Sequence, residues 1–202
     1  MNALATDISE NSSSIRISLI IATYNRADCL LRTLNSVAEQ SLNPALYEII
    51  VVNNNSTDHT AETCHKFADG HTELHFHMVT EVRQGLSHAR NCGIAHASGE
   101  FFAIIDDDEL INRDFLKNYY DFFLTHPTVA ACGGIVTPLY EFTVPKWLSR
   151  YAERPIAGTL YYGEKIIPFP KGKYPGGGNM AIRRSAIDQY GAFDPNLGRT
   201  GT

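Results

Sequence analysis

The chain has 202 residues, 44% hydrophobic and 19% charged, a balance that supports a globular domain with a substantial core and excludes a disordered chain. Its formal net charge of −5 lacks the broad basic footprint of a nucleic-acid binder, so no nucleic-acid partner is expected. Cys29, Cys64, Cys92 and Cys132 form no CxxC pair, which argues against a zinc knuckle or disulfide framework and for a reducing, cytoplasmic setting.

Residues 1–14 are polar and read as a flexible N-terminus, without the basic start and apolar run of a signal peptide. From residue 15 onward, strand and helix signals alternate. Residues 17–22 form a short β-rich apolar run, and Leu30, Leu31, Leu34 and Val37 then recur at helical spacing within 28–39. A second apolar run covers 47–52, followed by a polar turn, a helix over 58–68 and a strand over 74–79. Asp58 reads as an N-cap or first-turn acid of that helix. A third helix is expected over 85–97 and a fourth strand over 101–105, ending in Asp106-Asp107-Asp108. A helix over 113–125, a strand over 129–138 and an irregular, aromatic-rich segment over 141–177 come next. A short strand at 179–183 and a helix capped by Ser185 complete the chain. Continuous apolar strands separated by helices predict an α/β fold, a mostly parallel central sheet flanked by helices.

No stretch approaches the ~20 apolar residues of a membrane-spanning helix, which leaves peripheral membrane association open. The polar clusters follow the strands: Thr23-Tyr24-Asn25 the first, Asn53-Asn54-Asn55-Ser56 the second and the aspartates the fourth. In open α/β sheets, ligands bind beyond the carboxyl ends of strands, so these clusters are expected on one rim. Adjacent carboxylates repel, and a divalent ion held by their oxygens is the simplest relief. Such an ion attracts a diphosphate.

Residues 18–26, SLIIATYNR, resemble the opening motif of family 2 glycosyltransferases, which have the GT-A, nucleotide-diphospho-sugar transferase fold. Residues 48–58, EIIVVNNNSTD, resemble the second motif; Ala89-Arg90-Asn91-Cys92-Gly93 with Ala97-Ser98-Gly99-Glu100 resembles the third; Asp106-Asp107-Asp108 matches DxD. Residues 177–184 and 191–194 resemble the acceptor-side segment. The resemblance implies transfer of a sugar, with inversion, from a nucleotide-sugar donor to a saccharide or lipid-linked acceptor, in the cytoplasm or at the inner face of the cell membrane. It divides the domain into a nucleotide-binding half, 15–110, and an incomplete acceptor-side half, 111–202.

By resemblance, Thr23, Tyr24, Asn25, Arg26, Asn53, Asn55, Arg90, Asp106 and Asp107 line the donor site, and Asp108 binds the metal. Mn2+ or Mg2+ fits, since both favour oxygen ligands. Gly177, Gly178 and Asn179 lie on the acceptor side, where Trp147 is either a sugar platform or a core anchor. A UDP-sugar is favoured, yet family members often carry Asp where this chain has Asn53. A neutral oxygen accepts the uracil N–H without charge assistance, so guanosine and thymidine donors stay open. The family's catalytic base, the Asp of a Glu-Asp pair, has no counterpart after Asp194 and is expected beyond Thr202. Glu109 is expected on the donor side, a poor place for a base. The alternative is a nucleotide-sugar-binding module without catalysis. Neither GxGxxG nor GxxxxGK[ST] follows the first strand, which excludes dinucleotide oxidoreductases and P-loop phosphotransferases.

Overall fold

The computed structural model describes residues 14–141, 143–145, 147–149, 151, 163 and 165–198. The expected flexible tail, apart from residue 14, lies outside the described residues. The elements are β1 (Ile17–Thr23), α1 (Ala27–Ala38), a single 3₁₀ turn (Pro44–Leu46), β2 (Tyr47–Asn53), α2 (Thr60–Gly70), β3 (His75–Thr80), α3 (Leu86–His96), β4 (Phe101–Asp106), α4 (Phe115–Thr125), β5 (Ala131–Gly133), β6 (Asn179–Arg183) and α5 (Arg184–Tyr190).

Six strands form one sheet in the order β3-β2-β1-β4-β6-β5. The first four are parallel; β6 runs antiparallel to both β4 and β5. The central strands are apolar throughout because both faces are covered. Leu19, Ile21, Ile49, Val51, Ala103 and Ile105 form one core with residues of α1, α2 and α4. Ile20, Ile50, Val52, Phe102 and Ile104 form the other with Ala89 and Ile94 of α3. Close packing of α3 depends on Gly93, where an added Cβ would stand 2.4 Å from Ile20 Cγ2. Edge strand β3 instead alternates exposed His75 and His77 with half-buried Phe76 and Met78.

Three local expectations change. The strand expected over 129–138 shrinks to Ala131–Gly133. Pro175 crowds Gly133, and the Asn179 amide fills the space beside Gly134 and bonds the Ile135 carbonyl at 3.1 Å, so the chain leaves the sheet there. Ser185 lies inside α5 rather than at its N-cap, a position held by Arg183. The helix entry is set by Arg184, whose backbone N–H bonds Glu100 O and whose guanidinium bonds the Gly99 and Ala97 carbonyls. Helix α2 begins at Thr60, two residues late, because Asp58 folds back to accept from the Thr60 N–H. Its second oxygen accepts from Ala27 N at 3.1 Å, so one carboxylate satisfies the first N–H of both α1 and α2, although it is neither N-cap nor first-turn acid: the N-cap of α2 is His59.

Candidate functional site

The strand-end clusters do meet on one rim. Register pairs Thr23 with Asn53 and Ala22 with Asp106, so the loops after β1, β2 and β4 emerge side by side. Asn25 has a left-handed backbone (φ 52°), and its side-chain oxygen accepts from Thr57 N at 2.7 Å and Asp58 N at 3.3 Å. Asn55 is also left-handed (φ 66°), a conformation that Asn tolerates better than most residues. Asn53 is buried, and its oxygen accepts from Ser56 N at 2.8 Å. Tyr24 is half-buried beside them. Asn54, which the sequence left without a role, joins the loop after β2 to the loop between β3 and α3. Its amide nitrogen bonds the Glu81 and Arg83 carbonyls, and its oxygen accepts from Gly85 N at the start of α3.

The three aspartates have three different surroundings. Asp107 is 4% exposed and points inward, accepting from Thr23 Oγ1 at 2.7 Å and Arg26 Nη1 at 3.0 Å, while Thr33 Oγ1 bonds its carbonyl. Burial pushes its carboxyl up, against the opposing pull of Thr23 and Arg26. Thr23 and Asp107, both expected to line the donor site, are thus spent on each other. Asp106 and Asp108 are part-exposed. Arg90 Nη2 bonds Asp106 Oδ1 at 3.0 Å, and Arg26 Nη2 bonds Asp108 Oδ2 at 2.8 Å. Charge relief, expected from a metal, is therefore partly supplied by two arginines.

Arg90 also bonds the Gly177 carbonyl at 2.8 Å, tying the β4 rim to the glycine loop before β6. Gly177 and Gly178 serve close approach: an added Cβ would stand 3.0 Å from Arg90 Nη2 and 1.9 Å from Glu109 Oε1 respectively. Glu109 therefore reaches across to the acceptor-side loop, further than expected. Burial, with Asp106 and Asp108 nearby, pushes its carboxyl up to about 8. The only sequence signal for this placement is one more acid directly after the triplet. Asn179 turns away from the crevice, its oxygen accepting from the Tyr119 hydroxyl and its nitrogen bonding Ile135 O. Trp147 is three-quarters exposed, so it is no core anchor. A cavity of about 390 Å³ beside Glu48, His77 and His96 lies toward the start of β2, at the opposite end from the rim.

Asp106 Oδ2 and Asp108 Oδ1 accept no hydrogen bond among the described residues, and this pair fits an oxygen-preferring divalent ion. Among the described residues no three His, Cys, Asp or Glu side chains surround a common ion position. One or two carboxylates with substrate phosphates is the usual provision for Mg2+.

The model for Glycosyl transferase family 2 matches residues 18–191. The chain belongs to this family. It is 29% identical over 181 residues to Glycosyltransferase AglE of Haloferax volcanii, covering 90% of this chain and 57% of AglE. It is 30% identical over 112 residues to Poly(ribitol-phosphate) beta-N-acetylglucosaminyltransferase TarS of Staphylococcus aureus, covering 55% and 19%. Among solved structures, mannosyltransferase PcManGT from Pyrobaculum calidifontis, in complex with GDP-Man and Mn2+, superimposes with a TM-score of 0.70 at 26% identity, covering 92% of this chain and 49% of that one. S. aureus TarS 1–349 in complex with UDP-GlcNAc matches with a TM-score of 0.57 at 27% identity, covering 65% and 37%. The fold is GT-A, as the motifs imply. The chain spans little more than half the length of AglE and less of TarS.

Proposed function

We propose that this chain carries the donor-binding part of an inverting, metal-assisted glycosyltransferase that moves a sugar from a nucleotide-diphosphate sugar to a saccharide or lipid-linked acceptor. The observation that carries this reading is the shared rim, where Asp106 and Asp108 each keep a carboxylate oxygen that accepts no hydrogen bond among the described residues, beside the loops of Arg26 and Asn53. Complexes of family relatives with GDP-Man and Mn2+ and with UDP-GlcNAc support it.

In this reading Asp108, with Asp106, would hold Mn2+ or Mg2+. Bound, the ion supplies Lewis-acid stabilisation of charge building on the departing diphosphate. Arg26 positions Asp107 and Asp108 from one side, and Arg90 positions Asp106 and the Gly177 loop from the other. Residues 15–110 form the nucleotide half and 111–202 part of the acceptor half. A UDP-sugar is the favoured donor, and the place of action is the cytoplasm, at the inner face of the cell membrane.

In-line attack needs a base for the acceptor hydroxyl, a contribution of roughly 10²–10⁴-fold. Asp194, the one local acid after the glycine loop, is tied into a turn, one of its oxygens accepting from Asn196 N and Nδ2, both at 2.9 Å. That observation favours a second reading, donor binding without turnover by these residues alone. Calorimetric titration with UDP, GDP and dTDP, each with manganese and with chelator, tests the donor site. One nucleotide is expected to bind only with manganese. Binding indifferent to chelation, or no binding to any of the three, removes the reading.

A further inference from the structure

Glu109 is the acid at the rim that donor binding, as proposed, leaves without a role. It follows Asp108 directly, and its half-buried side chain reaches across to the loop before β6. An added Cβ at Gly178 would stand 1.9 Å from Glu109 Oε1 and 3.0 Å from Asp106 Oδ2, so both carboxyls flank one glycine. Asp106 Oδ2 is also the oxygen left for an ion. Glu109 therefore borders the place of the diphosphate on one side and the acceptor-side loop on the other. That loop is held in position. Asn179 N bonds Gly176 O at 3.2 Å, and Arg90, which bonds Asp106, also bonds Gly177 O.

The polar side chains on either side of Glu109 are engaged elsewhere. Asp107 is turned inward onto Thr23 and Arg26, and Asn179 onto Tyr119 and Ile135. The Glu109 carboxyl makes no hydrogen bond to another side chain among the described residues; only the Asp106 backbone N–H draws on it. Nor does the geometry add it to the ligands of an ion, since among the described residues no three such side chains surround a common ion position. A half-buried carboxyl with spare acceptor oxygens costs free energy until a donor reaches it. In a nucleotide sugar, the group attached to the β-phosphate is the sugar, which carries hydroxyl donors. A carboxyl accepts from a hydroxyl in either protonation state, because the neutral form keeps acceptor capacity.

We propose that Glu109 reads the sugar of the donor: its carboxyl accepts a hydrogen bond from a hydroxyl of the transferred hexose, and position 178 is glycine to leave room for that carboxyl. The sugar contact rests on the donor-site reading, and the two are distinguished by titrating the free diphosphate beside the sugar-bearing donor. Calorimetry in saturating manganese compares UDP with UDP-glucose and GDP with GDP-mannose, and the pair whose diphosphate binds the parent is carried forward. Glu109→Ala should bind the free diphosphate within about twofold of the parent. It should bind the sugar-bearing donor about tenfold more weakly, the loss expected for one hydrogen bond to a carboxylate.

Glu109→Gln, which keeps one acceptor oxygen, should recover most of that loss. Gly178→Ala keeps Glu109 in the sequence but displaces its carboxyl, and it should show the same split between diphosphate and donor. Monodeoxy analogues of the hexose complete the cycle. The analogue lacking the hydroxyl that Glu109 holds should cost the parent about tenfold in affinity and leave Glu109→Ala unaffected. Circular dichroism checks the fold of each variant. Equal losses for diphosphate and donor in Glu109→Ala would make Glu109 a support of the ion site and overturn the proposal. Unchanged donor affinity overturns it as well, and would leave the carboxyl to the acceptor. If neither diphosphate binds the parent with manganese, the donor-site reading itself fails and the sugar contact falls with it.

Discussion

Asp107 and Asp108 are adjacent in sequence and should fail in opposite ways. In Asp107→Ala the Thr23 hydroxyl, 3% exposed, loses its acceptor, a cost of about 1–3 kcal/mol for a buried unsatisfied group. The Arg26 pair is worth about 1 kcal/mol or less, because that guanidinium is half exposed. Relief of a buried carboxylate, one that burial already pushes up, offsets part of the loss. A net cost of about 2 kcal/mol lowers Tm by roughly 4–8 °C in a domain of this size. In Asp108→Ala the lost Arg26 pair is half exposed on both sides, so the cost is below about 1 kcal/mol. Its effect falls on the ligand. Second-sphere partners of a metal site cost roughly 10–100-fold in affinity, so loss of a ligand should cost about 100-fold or more. Thermal denaturation and calorimetric nucleotide titration with manganese, run on both variants, separate the two roles. An unmoved Tm in Asp107→Ala with lost nucleotide binding, or a large Tm drop in Asp108→Ala with binding kept, would refute the assignment.

Asn53→Asp keeps the acceptor for Ser56 N and adds charge toward the nucleotide, so uridine diphosphate should bind about fivefold tighter, worth about 1 kcal/mol. An equal gain for guanosine diphosphate would count against a base contact. Glu48→Ala removes the shared acceptor of Ser18 Oγ, Ser98 N and Ser98 Oγ, so stability should fall by about 2–4 kcal/mol. Nucleotide affinity should stay as in the parent, since Glu48 opens β2 at the end remote from the rim; denaturant melts and titration check both halves. Arg83 holds the Glu81 carboxyl down at about 2, against an ordinary 4.5. A carboxyl depressed by folding stabilises fully above its unfolded value and loses that contribution as pH falls through the folded one. The parent should therefore lose more stability than Glu81→Gln between pH 4.5 and 2, and parallel acid-denaturation curves would show that the pair contributes nothing.

Much of this molecule is written locally. The apolar runs at 17–22, 47–52 and 101–105 read as strands buried on both faces from their length and β-branched content, and each is followed by polar residues that share a rim in a parallel sheet. Motif order points to the family, and the sheet has its four parallel strands where the periodicity puts them, while β5 is shorter than expected. Of the irregular segment expected over 141–177, residues 142, 146, 150, 152–162 and 164 lie outside the described residues.

The division of labour within the rim was not legible. Which of three consecutive aspartates turns inward depends on Thr23 and Arg26, more than 80 positions away in sequence, and no spacing rule reports that. The same holds for Asn179, claimed by Tyr119, and for Glu109, drawn against Gly178 by a loop that returns some 70 residues later. The early end of β5 likewise depends on Pro175 and Asn179 rather than on its own residues. Secondary structure and rim position follow from periodicity, which neighbouring residues carry by themselves. Hydrogen-bond allegiance and burial follow from which elements the fold brings together, and only the tertiary structure decides that.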